Sequence, residues 1–188
     1  ADLARQWGDA GDRRAVFAEC YLVMTRSVEE NIRAGSFHDG VWVGRLLDRF
    51  ATYYFDAVDS YGGALGVRVC PAVWREALDA CSDPLCHPLQ ALMLGINAHI
   101  NHDLALALVD VLDDWPTLDE EARQRRRDDH ELVNDIRPSS RPASLRWSPP
   151  SAPGRTSCRR SAWCWARDSA ASPTTSTTRW AISWPPAC

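Results

Sequence analysis

The sequence predicts an all-α fold: a single helical bundle-like domain of about five helices over residues 1–136, followed by an irregular or disordered tail, residues 137–188. Three observations carry this. Apolar residues recur at three- and four-residue spacing through most of the first part, and no stretch alternates with period two long enough to make a strand. The composition then breaks at Arg137. Residues 1–136 hold 24 Asp and Glu against 13 Arg, whereas residues 137–188 hold one Asp against eight Arg, a contrast hidden in the net charge of −4.

The elements follow in order. Phe17, Cys20, Tyr21, Met24, Val28 and Ile32 give a helix over 13–34, with Asp12 able to cap its start and Gly35 to end it. A second helix after Asp39 carries a wide apolar face of Trp42, Leu46, Leu47, Phe50, Tyr53, Tyr54 and Val58, stopped by Gly62-Gly63. Pro71 suits the first turn of a short third helix through Ala80. Pro84 and Pro88 introduce the fourth, reaching about Leu112. Thr117-Leu118-Asp119-Glu120 reads as a capping box that opens the fifth, whose stripe is Leu118, Ala122, Leu132, Val133 and Ile136.

The tail lacks such periodicity and is broken by prolines, yet it holds five of the nine Trp and three Cys. Disordered segments are usually poor in aromatics. Out-of-frame translation accounts for the combination. When each new codon takes the third base of one codon and the first two of the next, Trp and Cys codons, which begin with T, become codons with T in the middle, all apolar. Trp163-Cys164-Trp165-Ala166 then reads Val-Leu-Gly whatever the wobble bases, and apolar residues reappear at helical spacing.

Composition also bounds the function. The chain has no Lys, as expected of a GC-rich bacterial genome, and its net acidity argues against a nucleic-acid partner. Seven Cys without a paired Cys-x-x-Cys or a secretory signal point to reduced thiols in a cytoplasm. No uninterrupted apolar run approaches the ~20 residues of a membrane span. Exposed apolar faces would allow oligomers.

Chemistry concentrates in the fourth helix, where Gly95-Ile96-Asn97-Ala98-His99-Ile100-Asn101-His102-Asp103-Leu104 sets five polar residues into an apolar helix. At 100° per residue Gly95, His99, His102, Asp103 and Leu106 share a face, opposite Ile96, Ile100, Leu104 and Val111. Asn97 and Asn101, one turn apart, could tie the helix to neighbours or bind a ligand.

Asn97-Ala98-His99-Ile100-Asn101 with Asp103-Leu104 resembles the signature of the bacterial domain-of-unknown-function family numbered 5995. Phe17 to Val28, Phe50-Ala51-Thr52-Tyr53-Tyr54-Phe55-Asp56-Ala57 and Asp129-His130-Glu131-Leu132-Val133-Asn134 are similar to further segments of that family. The likeness covers about 13–136 and stops at the composition break, where the family continues with more helix. It implies no established activity.

The site is therefore read from chemistry. His99, His102 and Asp103 could present metal ligands from one helical turn to a divalent ion, with Asp129 as a further ligand. Without metal, His99 and Asp103 could act as an oriented acid–base pair sharpened by Asp129, with Asn97, Asn101 and Asn134 binding a substrate. The third reading is a buried polar network that fixes helix packing without catalysis. The choice lies between a small-molecule enzyme or binding protein and a structural or interaction module. A pocket at His99 with Asp129 in reach favours the former; a packed face favours the latter.

Overall fold

The computed structural model describes residues 2–63 and 69–137. Among these the fold is all-α, with no strand. The expectation of out-of-frame or disordered sequence in the tail falls on residues 138–188, outside those described.

The helices are α1 (Asp2–Asp9), α2 (Arg14–Arg33), α3 (Gly40–Gly62), α4 (Ala72–Ser82), α5 (Pro88–Ala98), α6 (Leu104–Val111) and α7 (Glu120–Asp135). A π-helical turn, His99–Asp103, makes α5 and α6 one continuous rod, and a 3-10 turn, Trp115–Thr117, precedes α7. Helix α1 was not expected from the sequence. Its apolar contribution is short, with Ala4 and Trp7 buried against α2.

Local chemistry sets the boundaries. Asp12 Oδ1 accepts from the Arg14 N–H at 2.9 Å, so it does serve the start of α2. Gly35, at φ 70°, adopts the left-handed conformation that ends the helix; its N–H reaches Ile32 O and that of Ser36 reaches Asn31 O. Asp39 caps α3 through the Trp42 N–H at 2.9 Å. His87 Nδ1 accepts from the Leu89 N–H while Gln90 Oε1 accepts from the His87 N–H, closing the start of α5. The cap of α7 differs from the sequence reading. Asp119, not Thr117, receives the Ala122 N–H at 2.7 Å, because Thr117 is used in the 3-10 turn and donates its hydroxyl to Asp114 O.

The core gathers Phe17 and Ala18 of α2, Tyr54, Ala57 and Val58 of α3, Trp74, Ala77 and Leu78 of α4, and Leu92 and Ala98 of α5. The α5–α6 rod is thus central: α2 and α4 pack along α5, and α3 along α6. By length and composition the 24-residue segment Pro88–Val111, with an 18-residue window of mean hydropathy 1.2, would suffice to cross a membrane. The sequence reading passed over it because polar residues interrupt the apolar run. Its two most buried polar side chains, His99 and Asp103, bond within the bundle.

The far end is tied by charge. Trp42 Nε1 donates to Val111 O, one of the carbonyls left open at the end of α6, and Arg126 lies over the Trp42 ring. Arg126, buried itself, holds Asp114 through two bonds of 2.5 and 2.7 Å. Opposite, Arg13 clamps the loop before α5 by donating to the carbonyls of Asp83 and Cys86 at 2.6 and 2.7 Å.

Candidate functional site

A π-helical turn widens the backbone ladder to i→i+5, and here the Leu104 N–H bonds to His99 O. The extra residue rotates α6 relative to α5. Leu104, Ala107, Leu108 and Val111 turn inward, and Leu106 becomes exposed, contrary to the straight-helix wheel that set it beside His99. The polar face is therefore the buried one through the turn: Gly95, His99 and Asp103 all face the core.

Asp103 is 1% exposed and its carboxylate is fully engaged. Trp74 Nε1 donates across both oxygens at 3.0 and 2.9 Å, His99 Nδ1 donates to Oδ2 at 2.9 Å, and His102 Nδ1 donates to Oδ1 at 3.0 Å. Three N–H donors around one carboxylate satisfy its oxygens and fix both imidazole tautomers. Burial lowers the pKa of His99 from its ordinary value, while the bond to Asp103 pulls the other way.

Aromatic rings enclose His99. Phe50 stacks on it with centroids 3.5 Å apart, and Tyr21, Phe17, Tyr54 and Trp74 surround its edges at 4.7–6.0 Å. His99 Nε2 lies here buried without a hydrogen-bond partner, and the buried Tyr21 and Thr25 hydroxyls stand beside each other. Burial pushes the Tyr21 phenol up to about 12.

The other candidates are placed elsewhere. Asp129 is buried as its position on the α7 stripe suggested, but it does not join His99. Its Oδ1 and Oδ2 accept from the backbone N–H groups of His38 and Asp39 at 2.8 and 2.7 Å, so it stabilises the turn into α3. The expected His99–Asp103–Asp129 grouping is corrected accordingly: α7 meets the bundle at the start of α3. Asn97 and Asn101 are exposed and bond to each other, Asn101 Nδ2 to Asn97 Oδ1 at 2.7 Å, rather than to neighbouring helices. Asn134 is exposed on α7. Among the described residues no group of three or more His, Cys, Asp and Glu side chains is arranged to hold a metal ion. The turn that brings His99, His102 and Asp103 together uses both Nδ1 atoms on the carboxylate instead.

Trp74 and Phe50 are the site residues that sequence reasoning missed. The available signal was the need itself: a buried carboxylate requires donors, and indole Nε1 can only donate. A small surface cleft of about 10 Å³ lies alongside, lined by Arg14, Phe17, Tyr54, Trp74, Cys81 and Gly95 among others. Neither His99 nor Asp103 lines it.

The model of a family of unknown function, DUF5995, matches residues 1–140. The chain belongs to this family. No curated protein and no solved structure matches it. In this DUF5995 member the matched region takes in the whole Trp74–His99–His102–Asp103 network and ends close to the composition break.

Proposed function

We propose that this DUF5995 domain is a structural or interaction module in which Trp74, His99 and Asp103, with the part-exposed His102, form a non-catalytic network. One observation carries the reading: Asp103, 1% exposed, has both oxygens taken by donors of its own domain. A general base must reach its substrate. Here rings of Phe50, Tyr21, Phe17, Tyr54 and Trp74 stand between His99 and solvent.

A second reading, a small-molecule enzyme or binding protein, draws on the free His99 Nε2 and on the π-helical turn, a feature frequent at functional sites. His99→Phe separates the two, since it keeps an aromatic ring in the cage and removes Nε2. Thermal-shift screening with a metabolite library and with zinc, iron and manganese salts is run on both proteins. The structural reading expects no compound or metal to stabilise the wild type selectively. A ligand or stoichiometric metal held by the wild type and lost in His99→Phe would overturn it.

The wider setting we propose is a bacterial cytoplasm, supported by the Lys-free, Arg- and Ala-rich composition and the unpaired thiols. Out-of-frame translation of the tail is supported by the family match ending at residue 140, beside the composition break. Sequencing the gene across the codons for 135–142, and in related genes, tests this. A single intact frame encoding the same tail in those relatives would refute it.

A further inference from the structure

We draw no further inference here: the strongest candidate, the side-chain cluster at the π-helical turn where His99 Nε2 lies buried and unpartnered under the Phe50 ring, belongs to the site already described.

Discussion

The Phe50 ring lies flat on the His99 imidazole, with centroids 3.5 Å apart and planes 8° from parallel. Phe50 is itself only half-buried, so it separates a 3%-exposed imidazole from solvent. The lowered pKa of His99 depends on that cover, because desolvation is its largest cause.

Phe50→Ala is therefore expected to raise the His99 pKa toward its ordinary 6.5, read from the pH dependence of its imidazole resonances. The lost ring should cost about 2 kcal/mol in denaturant unfolding, less than a fully buried Phe because half its surface is already wet. An unmoved titration would show that Asp103 and the remaining rings, rather than Phe50, govern the imidazole.

Stability should fall as the solution is acidified. Burial lowers the pKa of both His99 and His130 from 6.5. Below that pH the unfolded chain binds protons that the folded chain does not, so each group's contribution is present above 6.5 and lost as pH falls through its folded pKa. The slope is at most about 1.4 kcal/mol per pH unit per histidine. Urea unfolding at a series of pH values between about 5 and 7.5 measures it. His99→Phe should flatten the curve by one histidine's share, and an unchanged slope would remove His99 from the account.

Asp129 is expected to matter for stability and not for His99. Asp129→Ala leaves the His38 and Asp39 N–H groups without their acceptors at 2.8 and 2.7 Å in a part-buried turn. A cost of about 1–2 kcal/mol follows from two bonds lost to part-buried donors that water can partly satisfy. Hydrogen exchange should quicken at the start of α3, while the His99 titration stays in place. A shift of that titration would reconnect the two carboxylates.

These contrasts show what was legible in the sequence. Helices α2 and α3 were readable because Phe17, Trp42 and Tyr54 recur with their neighbours at helical spacing and are buried, and α4 because Pro71 marks its start. The closeness of His99 and Asp103 was readable because it is local. The π-helical turn was not, because residues 99–103 fit an unbroken α-helix equally well and its register shift shows only downstream, in Leu106 turning outward. The partners of Asp103 and Asp129 were hidden for different reasons. Trp74 lies 29 positions from Asp103, and Asp129 is held by backbone N–H groups, which every non-proline residue carries.

Gly95 offers the sharpest packing test of the region. An added Cβ would stand 2.9 Å from Phe17 Cδ2 and 3.1 Å from Cγ. Helix propensity favours Ala over Gly by about 1 kcal/mol in a helix interior. Against this, Phe17 cannot yield freely, because its ring contacts Tyr54, Trp74 and His99 at 5.1–5.7 Å. Overpacking of about 1–3 kcal/mol exceeds the propensity gain, so Gly95→Ala should lower stability by roughly 1 kcal/mol. Its effect should couple to Phe17: Gly95→Ala placed in a Phe17→Ala background, where Cγ and Cδ2 are gone, should recover the propensity gain. Chemical denaturation of the two single variants and the double gives the coupling energy. Simple additivity would mean that Phe17 moves aside at no cost.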